Sequence, residues 1–362
     1  MKLLKILSAK VLAAKIFVTI FLLLFSNYFY GFVVVDLYNI SIPIEQNGRK
    51  LDNDILLKIG LNQLLVKLSG SSNFEENEVI KLALQNPKKY LQEYSLSKSS
   101  DNNVELKQGY NKLSIDTLMR EAKLPTWGAS RPLAMLWVVV EQELGERALV
   151  SDSEETNEFL NLIQQNINKA SNIRALPIAW PLYDLDERQS LSIKNLWNLD
   201  REEVQSLSAK YRPDEIVMGK IYLEGDTWHI KWAYKDNVYS FESNKDDLSN
   251  ELITSFNEIT NRIAEEYSFI PNNESQKIVS DNILPLKVDN INNLNKLTAL
   301  MDYLKNIKSI ASSSITQIDG INVVLELDLK APKDIFLKEI KLENKLVIQD
   351  KASKILSYRW NS

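Results

Sequence analysis

Residues 133–141 read LAMLWVVVE, and this run constrains the fold more than any other stretch of the chain. It is short, rich in valine and free of charge until its last position. A helix would normally be longer, and a strand without polar alternation must be covered on both faces. The run therefore predicts a sheet interior with layers above and below it. Helical patterns flank it in sequence, so the expected class is α/β (α+β). Hydrophobic residues make up 44% of the chain and charged residues 25%, enough to bury a core without metal or disulfide staples. A length of 362 residues fits two or three domains.

Around that run the chain divides at its turn-forming residues. Residues 33–126 are expected to form an N-terminal α/β unit. It opens with a strand over 33–44, followed by a helix from 51 to Gly70 that uses Ile55, Leu56, Ile59, Leu64, Leu65 and Leu68. Helices are predicted over 75–85 and 87–91, a strand over 104–110, and a helix over 114–122 capped by Ser114. The turn-rich stretch 125–132 contains a hinge at 127–132.

Residues 133–270 are expected to form a central α/β domain in the order β-α-β-α-β-β-β-α, its early strands parallel, with a hairpin turn at Gly225-Asp226. Within it, strands are predicted over 175–181, 215–223, 228–233 and 238–242, and helices over 154–170, 201–210 and 248–267. The polar segment 271–282 reads as a linker. Residues 283–350 give the order β-α-β-β-α-β of a ferredoxin-like unit with a turn at Asp319-Gly320, and 351–362 are left as a tail.

The first residues suggest where the chain works. Lys2, Lys5, Lys10 and Lys15 precede the apolar run at 16–25, the pattern of a secretory signal occupying 1–31. However, no charge occurs from 16 to 35, a length that spans a hydrocarbon core as a helix, and the residues before 31 suit a signal peptidase poorly. A cleaved signal and a retained inner-membrane anchor both stay open. Cysteine is absent, which excludes lipidation at a cysteine, disulfides and thiolate chemistry. Net charge is −5, and loss of the four leading lysines leaves about −9. A body this acidic repels phosphate backbones, so no nucleic-acid partner is expected.

Few residues carry candidate chemistry. His229 is the only histidine, which leaves no catalytic triad or histidine metal cluster to build around it. Asp184 and Asp186, with Glu187, follow a buried strand where α/β sheets often bind ligands. They could hold a cation or act as acid and base, or they could form a solvated loop or helix cap. Trp127 with Arg131 could grip a carboxylate, or Trp127 could plug a crevice between domains while Arg131 caps carbonyls. No phosphate-binding loop, dinucleotide fingerprint or serine-hydrolase elbow is present, and no cofactor or metal is expected.

Several placements form a recognisable set: Leu37-Tyr38 with Ile42-Pro43, the run Leu65 to Gly70, and Trp127-Gly128 with Arg131-Pro132 and Trp137. The run Leu182 to Asp186, Tyr211 to Asp214, Met218-Gly219, Trp228 and Trp232 complete it. Over roughly 33–270 the chain resembles the bacterial family called domain of unknown function 2066. That resemblance implies an exported protein of Gram-negative bacteria and adds no activity. The expectation is a periplasmic protein, soluble or tethered through 16–35, acting without catalysis on a cell-envelope protein partner. A hydrolase or metal-dependent enzyme using Asp184 and Asp186 is one alternative. A small-ligand cleft near Trp127 and Arg131 is the other.

Overall fold

The computed structural model describes residues 37–46, 49–72, 74, 76–98, 104–142, 145–153, 157–271, 283–350 and 355–361. The export segment 1–31, the charge-free run 16–35 and residues 272–282 of the linker lie outside the described residues. Among those described, no helix is long and apolar enough to cross a membrane. The architecture is mixed α/β, and Phe32–Ser362 makes one compact unit by its contacts.

The first sheet is antiparallel and has the order β1 (Asn39–Pro43), β3 (Val104–Tyr110), β2 (Leu91–Lys98). Against it packs α1 (Asn53–Ser69), started by the Asp52 carboxylate accepting from the Asp54 N–H and stopped by Gly70 at φ 69°. Leu57, Leu61, Leu64, Leu65 and Leu68 are buried along α1, whereas Ile55 is exposed. The inward stripe therefore runs through Leu57 and Leu61, and Ile55 lies off it at the helical period. Helices α2 (Glu78–Gln85) and α3 (Lys112–Glu121) complete this layer. The cap of α3 is Asn111, whose side chain accepts from the Ser114 N–H; Ser114 is already inside the helix. β2 was not expected as a strand. Its sequence is polar and it is mostly exposed, so only pairing with β3 reveals it.

The central sheet has the path β8 (Asn237–Asn244), β7 (Thr227–Tyr234), β6 (Glu215–Glu224), β4 (Ala134–Glu141), β5 (Arg147–Val150). β4 is the LAMLWVVVE run, and every position from Ala134 to Val140 is buried. Leu136, Val138 and Val140 face α4 (Glu158–Arg174) and α8 (Leu248–Tyr267). Met135, Trp137 and Val139 face the short helices α6 (Ile193–Trp197) and α7 (Arg201–Ser208), which follow another short helix, α5 (Leu185–Ser190). β4 runs parallel to β6 and to the two-residue strand Ile178–Ala179, while β5, β7 and β8 join antiparallel. The strand predicted over 175–181 thus shrinks to two residues, because Pro177 and Pro181 bracket it. Gly219 on β6 leaves room for the Trp232 ring, which an added Cβ would meet at 2.6 Å.

The third sheet has the order β10 (Ile310–Asp319), β11 (Asn322–Leu329), β9 (Ile283–Asp289), β13 (Leu356–Trp360), β12 (Leu346–Asp350). Helices α9 (Leu294–Asn306) and α10 (Lys333–Glu343) supply Leu300, Leu304, Phe336 and Ile340 to its core. The β-α-β-β-α-β order is present, and the stretch expected as a tail adds a further strand. β13 lies between β9 and β12, parallel to the former and antiparallel to the latter. Burial of Tyr358 and Trp360 in the core explains why these last residues are ordered.

Candidate functional site

The chain leaves α3 through Leu124 and Pro125, and residues Thr126–Trp127 pair antiparallel with Ser268–Phe269 at the end of α8. This pairing delivers Trp127 to the C-terminal end of α1. Its ring is buried beside Gly70, whose hypothetical Cβ would lie 2.7 Å from the indole. Gly70 therefore serves twice, as a left-handed cap and as the contact surface for the ring.

Arg131 stacks on that indole, with the guanidinium carbon 3.7 Å from the ring centroid. Its Nη2 donates to the Lys67 carbonyl at 2.7 Å and to the Trp127 carbonyl at 3.3 Å. Arg174, the last residue of α4, arrives from the other side. It donates to the Gly70 carbonyl, to the Asn257 carbonyl at 3.2 Å and to Asn261 Oδ1 at 2.7 Å. Lys67 and Gly70 belong to the end of α1, where carbonyls lack helical partners and the helix dipole is negative. Two guanidiniums from different elements thus converge on one helix terminus.

Both arginines are 1% exposed, and among the described residues neither has a carboxylate within ion-pair distance. Burial lowers the Arg131 pKa well below the ordinary arginine value, and the nearby Arg174 charge adds to that. Burial likewise lowers Arg174 to about 10, opposed by the charge of Glu258. Carbonyl oxygens and an asparagine amide carry part of the compensation that a carboxylate would otherwise supply, while Arg131 Nε and Nη1 and Arg174 Nε have no hydrogen-bond partner among the described residues. The chemistry of this arrangement is attachment: it fixes α1, α4, α8 and the 126–131 segment to one another.

The same segment reaches the third sheet. Ser130 donates its hydroxyl to Glu343, and Gly128 lies against the Glu339 carboxylate. Glu339 accepts the Lys308 and Ser309 N–H groups at 3.1 and 3.2 Å, and burial raises its pKa. Lys308 in turn donates to the Tyr38 hydroxyl at 3.0 Å and sits 3.4 Å from Asp116.

Asp184 and Asp186 lie elsewhere, at the start of α5. Asp184 caps that helix by accepting the Glu187 N–H at 3.0 Å and pairs with Lys210 at 2.7 Å. The Lys210 hydrogen bond holds its carboxyl below the usual aspartate range. Asp186 is exposed in the first turn of α5. The fully buried member is Glu187, which accepts the Tyr183 N–H at 2.6 Å and the Tyr211 hydroxyl at 2.7 Å. Lys210 bridges to it at 3.0 Å. Trp127 and Arg131 are in contact with each other, and Asp184 takes its partners from a separate part of the fold.

His229 stacks on Tyr222 with centroids 4.9 Å apart and lies between Glu224 and Glu242. Among the described residues, no group of three metal-ligating side chains could hold an ion. Sequence reasoning missed Arg174. It occupies the buried stripe Leu160, Ile163, Ile167, Ala170 and Ser171 of α4, and a cation continuing a core stripe was the signal available.

Fold and junction together define a multi-sheet α/β protein held together by buried cations. Residues 32–128 match the family described as Domain of unknown function (DUF8605). That span covers the first sheet and its helices and ends beside Trp127. No curated protein matches the chain.

Proposed function

We propose that this chain is an exported cell-envelope protein that works without catalysis, as a periplasmic interaction or assembly factor. The likeness to the exported bacterial family called domain of unknown function 2066 belongs to this reading. So does the membrane role of the N-terminal segment, whether as a cleaved signal over 1–31 or as a tether over 16–35. The observation that carries the proposal is the junction at the end of α1. It spends Trp127, Arg131 and Arg174 on joining elements into one body, which suits a scaffold presenting surfaces to a protein partner. The acidic charge of the body favours a protein partner over nucleic acid.

The test is affinity isolation of the tagged chain from crosslinked cell envelopes, with a tagged unrelated exported protein as control. The proposal expects one or a few proteins to recur with the chain and not with the control. Recovery of no specific partner, or recovery of the chain in the cytosolic fraction, overturns it. Mass measurement of the N-terminus from the same fractions separates cleavage near 31 from a retained tether.

A further inference from the structure

Exposed sheet edges attract other strands, and most edges carry a device against this. In the first sheet, β1 ends in Pro43, while β2 has a register shift between Leu91 and Glu93 and ends in Lys98. In the third sheet, β10 has two register shifts and β12 has one. At one end of the central sheet, β5 has four residues and begins with Arg147. β8 at the other end differs. It pairs with β7 over eight residues in unbroken register and contains no proline or lysine. No described strand pairs with its outer side.

The face beside this edge is unusual in charge. Helix α8 covers the side carrying Tyr239 and Phe241, and the other side is open, with Val238 58% exposed. On the open side Ser240 lies opposite Lys231, which lies opposite Lys220. Like charges directly across a sheet repel. Neither lysine has a carboxylate within ion-pair distance among the described residues. Lys220 instead lies 5.2 Å from the Trp197 ring, which Arg147 also covers at 3.9 Å. In a body of net negative charge, Lys231 lies one strand in and Lys220 two strands in from the β8 edge.

We propose that the outer edge of β8 receives an extended acidic segment of a partner protein, which joins the central sheet as a further strand and lays carboxylates toward Lys231 and Lys220. Main-chain hydrogen bonds would supply affinity, and alternate side chains specificity. Strands lie about 4.8 Å apart, so an added strand sits about 10 Å from the backbone bearing Lys231. A glutamate beside Ser240 and a lysine can close that gap over the short serine. Beside Glu242 a carboxylate would be repelled, so the segment carries its acid next to Ser240 and a neutral residue next to Glu242. This rests on the reading of the chain as an interaction factor and names where the partner sits.

The test uses two peptides of about ten residues, one alternating threonine with glutamate and the other threonine with lysine, added to the purified full chain. Expected are protection of the 237–244 amides from hydrogen exchange by the glutamate peptide alone, and binding that weakens with salt. Lys220→Gln with Lys231→Gln should weaken binding about tenfold while the thermal melt stays in place. Equal binding of both peptides, protection elsewhere, or unchanged affinity in the double variant overturns the proposal. So does a dimer in light scattering whose 237–244 amides are protected without peptide, since a second copy then owns the edge. Partner isolation whose crosslinks map away from β8 overturns this surface and leaves the interaction function standing. Peptide docking without any envelope partner does the reverse.

Discussion

At the end of α1 two guanidiniums lie 1% exposed with carbonyls as their partners, whereas at the start of α5 Asp184 and Lys210 meet with about two-fifths of each side chain in water. The first arrangement is costly to desolvate and strongly dependent on every hydrogen bond it makes. The second is screened and replaceable. Glu187 stands between them, fully buried yet paired with the same half-exposed Lys210. The contrast indicates that ionisable side chains in this fold matter to stability by depth rather than by number.

Substitutions can break or sharpen that contrast. The largest effect is expected for Arg174→Ala, which strips donors from Gly70, Asn257 and Asn261 and leaves a void, at about 3–5 kcal/mol in denaturant unfolding. Arg131→Met should cost less, about 2 kcal/mol, because it makes fewer hydrogen bonds and its removal relieves repulsion with Arg174. The double variant Arg131→Met with Arg174→Met should then be more destabilised than the two single changes added together, because their sum counts the relief of one repulsion twice. Strict additivity would show that the two charges do not interact.

Glu187→Gln should cost about 2 kcal/mol, since an amide cannot accept from the Tyr183 N–H, Tyr211 and Lys210 together. Asp184→Ala should cost about 1 kcal/mol through the lost helix cap. The sign of its pH dependence follows from its depressed pKa. The folded carboxyl holds its proton less tightly than the unfolded one, so its contribution is present above the ordinary aspartate value and is lost as pH falls through the lower, folded value. Urea midpoints measured from neutral pH downward should therefore converge for the wild type and Asp184→Ala. A gap that persists in acid would place the effect in the backbone rather than the carboxylate.

Much of the layering was legible in sequence. The LAMLWVVVE run was readable as a doubly covered strand because a continuous apolar strand has only one stable environment. The turns at Gly225 and Gly320 were readable as well, and both glycines take positive φ. β2 and β13 were not, because one is exposed on both faces with only Tyr94 and Leu96 breaking its polar run after Leu91, and the other follows a polar stretch near the end of the chain. Of the candidate residues, Trp127 and Arg131 stood out through their rarity and spacing, whereas only its place on the apolar stripe of α4 marked Arg174 and nothing local marked Glu187 as buried.

The sequence by itself determined the class of fold, the strands that must be buried and the caps that begin and end α1, since each depends on neighbours a few residues away. Only the tertiary structure decided which charges carry weight. Arg131 and Lys67 are 64 residues apart, Arg174 and Gly70 are 104 apart, and their meeting depends on packing between elements that share no local pattern. It also decided that β8 ends its sheet with Lys231 and Lys220 on the next two strands in, neither with a carboxylate within ion-pair distance among the described residues. Edge position is a property of strand order, which no single strand encodes.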